Sequence, residues 1–144
     1  MIRSVLAVAA LALGVTVALA QDPIAARKDI MKGVGAQARN GAQMMRGEAP
    51  FDLAKAKVIF ATYASAAEKM PTLFPDNTKT GGETTAAPQI WTDKAGFTAA
   101  FAKFGKDSKE AEASVKDLDS FKAAFGGVSK NCGSCHETFR VKKG

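Results

Sequence analysis

Hydrophobic residues recur along this chain at alternating steps of three and four, which is the spacing of amphipathic helices. The first series comprises Ile24, Arg27, Met31, Val34, Ala38, Gly41 and Met45. The second comprises Leu53, Ala56, Phe60, Tyr63, Ala67 and Met70. The third, interrupted at Lys94 and Ser108, comprises Ile90, Phe97, Phe101, Phe104, Ala111 and Val115. The fourth comprises Leu118, Phe121, Phe125, Val128, Cys132, Cys135 and Phe139. We expect each series to form the inward face of one helix.

Capping and turn residues separate the four series. Asp22 followed by Pro23 is typical of a helix start, and "GEAPFD" divides the first series from the second. The segment "MPTLFPDNTKTGGETTAAPQ" is the one long connection, while Gly105 and "KDLD" are weaker breaks near the third and fourth series. Short connections with one longer crossing predict an all-α fold, an antiparallel four-helix bundle.

The first 20 residues have the composition of a secretory signal peptide. Arg3 precedes an uncharged apolar run to Leu19, and the small residues Ala18 and Ala20 fit cleavage after Ala20. The alternative, a membrane-spanning helix, needs about 20 apolar residues, and this run is barely that long. We therefore predict an exported, periplasmic protein with a signal peptide at 1–20 and one domain at 21–144.

The distribution of the basic residues argues against one class of partner. The formal net charge is +6, and removal of Arg3 with the signal peptide lowers it to +5. The basic residues are scattered, whereas a nucleic-acid surface needs clustered Lys and Arg with interleaved aromatics. We expect no nucleic-acid binding; a solvated surface or an acidic protein partner fits the scatter.

Arg27 is the one charged residue in an inward series. A charge there is costly unless a partner neutralises it. The alternative is that the register is shifted by one position and Arg27 extends its charged end to water from the rim of the bundle.

Both cysteines and the only histidine of the chain lie in the fourth series, within "KNCGSCHETF". At positions i, i+3 and i+4, Cys132, Cys135 and His136 share one face of a helical turn. C-x-x-C-H is the attachment motif of c-type haem. Two thiols add to the two vinyl groups of the porphyrin, and the adjacent imidazole serves as the proximal iron ligand. The motif predicts one haem c, with iron, bound inside the bundle.

Three other uses of these residues are weaker. A structural zinc site needs four ligands, and two cysteines with one histidine leave it one short. A thioredoxin-like C-x-x-C follows a strand, whereas this one ends a helical pattern. A local disulfide is compatible with export but gives His136 no role.

The chain resembles the class II c-type cytochromes, the family of cytochrome c′ and its low-spin relatives. The resemblance lies in "ARKDIMKGVGAQ", "GEAPFD", "LFPDNTKTGGETTAAPQIW" and the C-terminal "CGSCHETFRVKKG", and it covers nearly all of residues 21–144. It implies a four-helix bundle with the haem near one end, attached through Cys132 and Cys135 and ligated by His136. It also implies redox partner proteins and, as in many members, a homodimer through the first two helices.

The resemblance assigns three further residues. In this family the distal face of the iron meets the first helix, at a position four residues after an arginine. That pair corresponds to Arg27 and Met31, so Arg27 would face a haem carboxylate. Arg140 matches a basic residue of the family; the alternative for Arg140 is a favourable interaction with the C-terminal helix dipole, together with Lys142 and Lys143.

Two functions remain open. The first is a periplasmic electron carrier with six-coordinate, low-spin iron ligated by His136 and Met31. Elimination leaves four methionines as sixth ligand, Met31, Met44, Met45 and Met70, and the resemblance selects Met31. "IMKGVG" and "GGETTAAPQIW" are similar to the methionine-ligated members, and Gly33 and Gly35 would let the helix approach the haem.

The alternative function is a five-coordinate, cytochrome c′-like protein that binds NO or CO, in which Met31 only fills the distal pocket. An enzyme is not expected. Peroxidase chemistry needs a second acid–base group, and no histidine besides His136 exists in the sequence.

Overall fold

The computed structural model describes residues 22–141, and these are largely helical. The helices are α1 (Pro23–Arg46), α2 (Leu53–Lys69), α3 (Gln89–Thr92), α4 (Lys94–Ser114) and α5 (Leu118–Phe139). Two 3₁₀ helices, Met70–Leu73 and Asp76–Thr78, lie in the long connection after α2. Within the described residues, β pairing is limited to one isolated antiparallel bridge between Ala86 and Arg140. The predicted all-α class is confirmed, and the predicted signal peptide lies outside the described residues.

The four long helices form the predicted bundle. α2 packs against α1 and α4, and α4 also packs against α5. One continuous hydrophobic core joins all four helices. Between Asp22 and Val141, no helix combines the length and apolar character needed to cross a bilayer.

Aspartates fix where the long helices begin. The side chains of Asp22, Asp52, Asp93 and Asp117 each accept a hydrogen bond from a backbone N–H two or three residues further along. These bonds satisfy donors that the first turn of a helix leaves without partners. α1 ends at Gly47, whose φ of 73° is the left-handed conformation that favours glycine at this position. Local sequence therefore sets the helix boundaries, and the predicted helix start at Asp22 and Pro23 is confirmed.

Most predicted inward positions are buried or half-buried, but two at the α1–α2 connection are exposed. Met45 and Leu53 are 37% and 38% exposed. Met44, only 3% exposed, occupies the core instead of Met45. With 3.6 residues per turn, the step after Gly41 can be three or four, and α1 takes three.

The third series needs two corrections. Ile90 belongs to the separate short helix α3, because Asp93 ends that helix and caps α4. The predicted breaks at Gly105 and Ser108 are wrong, since α4 runs through both and both are buried. A Cβ atom on Gly105 would lie 3.1 Å from the Cβ of Ala67, so the small residue lets α2 and α4 pack closely. The Ser108 hydroxyl donates to the Phe104 carbonyl at 2.7 Å, which explains how a polar side chain is accommodated in the core.

Candidate functional site

A cavity of about 670 Å³ separates the first part of α1 from the end of α5. The long connection, α3 and α4 complete its wall. All six residues predicted for the haem site line this cavity: Arg27, Met31, Cys132, Cys135, His136 and Arg140. Residues more than 100 positions apart are brought together because α1 and α5 are neighbours in the bundle.

Cys132, Cys135 and His136 occupy the last turns of α5, which stays helical through this motif to Phe139. The cysteines are half-buried free thiols. Burial raises the pKa of both thiols, whereas the reactive cysteine of a C-x-x-C redox pair has a lowered pKa. Within residues 22–141, no group of three or more His, Cys, Asp and Glu side chains could hold a metal ion, so the zinc alternative gains no further ligand.

The imidazole of His136 borders the cavity. Burial lowers the pKa of His136, and the positive charge of Arg140 lowers it further. A neutral imidazole has a free ring nitrogen, which iron ligation requires.

Met31 contributes the α1 side of the same cavity. It is half-buried and packs against the hydrophobic core. Gly35 also lines the cavity, and a Cβ atom there would meet nothing closer than 3.9 Å. Gly33 is exposed and does not line it, so the predicted role of Gly33 in a close approach is wrong. Met70, from the long connection, is a second thioether in the cavity wall.

Arg27 lies inward, as its register predicted, and is only 5% exposed. Its Nη2 donates to the Thr78 carbonyl at 3.2 Å, and its guanidinium carbon lies 4.3 Å from the centre of the Phe74 ring. Its Nη1 is buried and has no hydrogen-bond partner, unlike every other buried side-chain nitrogen or oxygen in the described part of the chain. Burial lowers the pKa of Arg27, and the carboxylate of Asp22 opposes that effect. An unpaired donor on a buried cation calls for an anionic acceptor.

Arg140 ends α5 and stays exposed at the edge of the cavity. Backbone hydrogen bonds on both sides of Arg140 tie it to the long connection. Ala87 N–H donates to the Phe139 carbonyl at 3.0 Å, and Val141 N–H donates to the Thr85 carbonyl at 2.9 Å. The segment just after the C-x-x-C-H motif is therefore held against the cavity wall.

Comparison with known proteins shows the family of this chain. The family model described as Cytochrome C′ matches residues 22–140. The chain belongs to the cytochrome c′ family.

Named relatives include both branches of that family. Cytochrome c′ of Rhodopseudomonas palustris is 47% identical over 91% of this chain and 90% of its own length. Cytochrome c-556 of the same organism is 33% identical over the full length of both chains. The solved structure of Rhodopseudomonas palustris cytochrome c′ superposes with a TM-score of 0.84 at 46% identity, covering 87% of this chain and all of that one.

The family cofactor is haem c, an iron porphyrin held covalently. The cavity fits such a group on three counts. Its volume lies within the range of about 300–1,000 Å³ typical of ligand sites, and its wall is mainly apolar. Two thiols and an imidazole share one helical turn on that wall. The partnerless Nη1 of Arg27 offers a donor for one of the haem carboxylates.

The helical periodicity missed the residues that support Arg27. Phe74 and Thr78 lie in the irregular connection, so no repeat marks them, although "LFPDNT" is part of the family resemblance. Asn131, the residue before Cys132, was also missed. Its buried amide donates to the Asp107 carboxylate at 2.8 Å and joins α5 to α4 next to the thiols.

Proposed function

We propose that this protein is a periplasmic electron carrier with one haem c attached through Cys132 and Cys135, and with His136 and Met31 as the two axial iron ligands. One observation carries the proposal. The only imidazole of the chain and the thioether of Met31 border the same cavity from two facing helices, with both thiols beside the imidazole.

Four residues of this chain would hold the haem. Cys132 and Cys135 would fix the cofactor to α5 by thioether bonds, and His136 would bind the iron through its unprotonated nitrogen. Met31 would bind from α1; a thioether ligand favours the reduced metal and raises the reduction potential. When bound, haem supplies one-electron chemistry by cycling between ferrous and ferric iron. The packed apolar wall limits the access of water to that iron.

Two arginines would interact with the haem carboxylates. Arg27 has a buried donor without a partner, so a carboxylate beside it would satisfy Nη1 and neutralise its charge. Arg140 is exposed at the cavity edge and offers a weaker, more strongly screened contact. Its position at the end of α5 also fits the helix-dipole alternative, and both uses of Arg140 remain proposals.

An enzymatic activity is not part of the proposal. With His136 assigned to the iron, the chain has no other histidine for proton transfer to a bound peroxide. The proposed partners are redox proteins of the periplasm or membrane. A homodimer through α1 and α2 is consistent with the exposed apolar side chains of Leu53 and Val58 on α2.

The second candidate function is NO or CO binding by five-coordinate iron. Identity to a relative named cytochrome c′ is 47%, against 33% to one named cytochrome c-556. In this alternative Met31 fills the distal side of the cavity without bonding to iron, as a flexible apolar side chain can.

Spectra of the intact protein separate the two candidates. For the carrier, we expect ferric iron to be low-spin by electron paramagnetic resonance, with a sulfur-to-iron charge-transfer band in the near infrared. The ferrous protein should bind CO slowly or not at all, because Met31 already occupies the sixth position. High-spin ferric iron with rapid CO binding after reduction would establish the gas-binding alternative instead.

A further inference from the structure

We propose that Phe74 is a positioning residue for Arg27: its ring and the Thr78 carbonyl together hold the guanidinium at the cavity wall and leave Nη1 as the free donor. The effect of Phe74 on the haem rests on the proposed function, in which Arg27 meets a haem carboxylate. The orientation of Arg27 by Phe74 does not depend on that function.

Two contacts define the orientation of the Arg27 guanidinium. The Phe74 ring centre lies 4.3 Å from its central carbon, a distance typical of a cation over an aromatic face. The hydrogen bond from Nη2 to the Thr78 carbonyl, 3.2 Å long, limits rotation of the group over that ring. Because the guanidinium is rigid and planar, these two constraints determine where Nη1 lies.

Phe74 is itself held from two sides. Its ring packs edge-on against Phe97 at 4.8 Å and against Trp91 at 6.0 Å between ring centres. The Trp91 indole N–H donates to the Phe74 carbonyl at 3.1 Å. Phe97 also packs edge-on against Phe139, three residues after His136, at 5.2 Å. The support of Arg27 is therefore joined by rigid side chains to the helix that carries the C-x-x-C-H motif.

The Thr78 carbonyl is also fixed in place. Thr78 is buried, and both its backbone N–H and its hydroxyl donate to the Pro75 carbonyl, at 3.0 and 2.8 Å. This tight turn directs the Thr78 carbonyl towards Arg27. The nearby carboxylate is that of Asp22, which acts on the charge of Arg27 from the start of α1.

Removal of the Phe74 ring would release one of the two constraints. A long arginine side chain with one remaining hydrogen bond can turn away from the cavity, since its rotational freedom is large. Phe74→Leu should then affect the haem in the same direction as Arg27→Leu, although Phe74 carries no charge.

A double-mutant cycle on the haem-loaded protein tests the proposal. The variants are Phe74→Leu, Arg27→Leu and the double variant, with Phe74→Tyr as the conservative replacement that keeps a ring face. Phe51→Leu is the matched control, because Phe51 is also a partly buried ring in a connection between helices, but it packs against Phe121 and does not line the cavity. Two properties are measured: the reduction potential as a function of pH, and the NMR signals of the Arg27 guanidinium in the reduced protein. Thermal unfolding confirms that each variant is folded.

We expect the Phe74 ring to shift the Arg27 N–H signals, and Phe74→Leu to remove that shift while Phe74→Tyr retains it. Phe74→Leu should move the pH profile of the potential in the direction of Arg27→Leu, and should add nothing once Arg27 is replaced. Phe51→Leu should leave the pH profile of the potential unchanged.

An equal effect of Phe74→Leu with and without Arg27 would overturn the proposal, since Phe74 would then act through the polarity of the cavity. Unchanged guanidinium signals in Phe74→Leu would also overturn it. If those signals change while Arg27→Leu leaves the potential at its original value at every pH, the positioning role stands and the proposed contact between Arg27 and the haem fails.

Discussion

Gly41 of α1 lies directly against the ring of Phe125 of α5. A Cβ atom on Gly41 would lie 2.7 Å from Cζ of that ring, closer than carbon atoms in proteins approach. α1 and α5 run antiparallel, and the cavity between them begins a few residues from this contact, at Ala38 of α1 and Cys132 of α5. The absence of a side chain at one position thus lets the two helices touch just beyond the cavity.

We expect Gly41→Ala to lower the free energy of unfolding by about 1–3 kcal/mol, because the ring of Phe125 must move to admit a methyl group. Gly126→Ala is the matched control on α5. Gly126 is exposed and has open space around it, so alanine should raise the free energy of unfolding by about 0.5–1 kcal/mol through helix propensity. Urea unfolding of the haem-loaded proteins measures both, and equal stability of the two variants would contradict the packing described for Gly41.

Each cysteine should carry one thioether bond to haem. After denaturing electrophoresis the unmodified protein should keep haem staining, and acidified ketone should extract no haem from it. Cys132→Ala and Cys135→Ala should each retain at most one bond, and the double variant none. Ser134→Ala, an exposed position between the two cysteines, serves as the control and should stain normally. A colourless protein produced with working haem-attachment machinery would instead support the disulfide alternative.

Alanine variants of three methionines distinguish iron ligation from packing: Met31, Met70 and Met45. Met31→Ala should convert ferric iron from low-spin to high-spin and abolish the sulfur-to-iron charge-transfer band. Met45→Ala should change neither property, because Met45 is exposed. Met70→Ala tests the second thioether of the cavity wall; a loss of the band in this variant alone would assign the sixth ligand to Met70.

Asp107 should make stability depend on pH. It accepts hydrogen bonds from Lys103 and Asn131, which lower the pKa of its carboxyl. A lowered pKa in the folded state stabilises the protein above the unfolded-state value of about 3.9, and that contribution is lost as the pH falls through the folded-state pKa. Asp107→Asn should therefore lower the free energy of unfolding by about 0.5 kcal/mol at neutral pH, and the difference should shrink as the pH falls through the folded-state pKa of Asp107.

Asp29→Asn provides the comparison for Asp107, since Asp29 is exposed and forms no salt bridge within the described residues. The measurement is the urea unfolding midpoint of the two variants and of the unmodified protein, from neutral to acidic pH. A constant difference between Asp107→Asn and the unmodified protein at all pH values would exclude the electrostatic explanation.

Export should remove residues 1–20. Protein isolated from a bacterial periplasm should begin at Gln21, and its intact mass should equal that of residues 21–144 plus one haem. A mass that still includes the apolar run before Ala20 would contradict cleavage and favour the membrane-anchored alternative.

Sequence periodicity and caps determined the four long helices, because both signals arise from contacts within a few residues. The position of Cys132, Cys135 and His136 on one turn of α5 follows from the same short-range geometry. The inward register of Arg27 was also predictable, since it depends only on the 3.6-residue repeat. The exposure of Met45 was not, because at a helix end a step of three and a step of four fit the sequence equally well.

Only the tertiary structure decided what surrounds the predicted residues. Phe74 and Thr78 contact Arg27, although about 50 positions of chain separate them from it. They lie in a connection that has no hydrophobic repeat. Gly105 was predicted to break the helix, yet the close approach of α2 and α4 makes a small residue fit there, and the buried Ser108 hydroxyl bonds to a carbonyl of its own helix. Such choices depend on the shape left by residues distant in sequence, because packing rewards complementary surfaces whatever their separation along the chain.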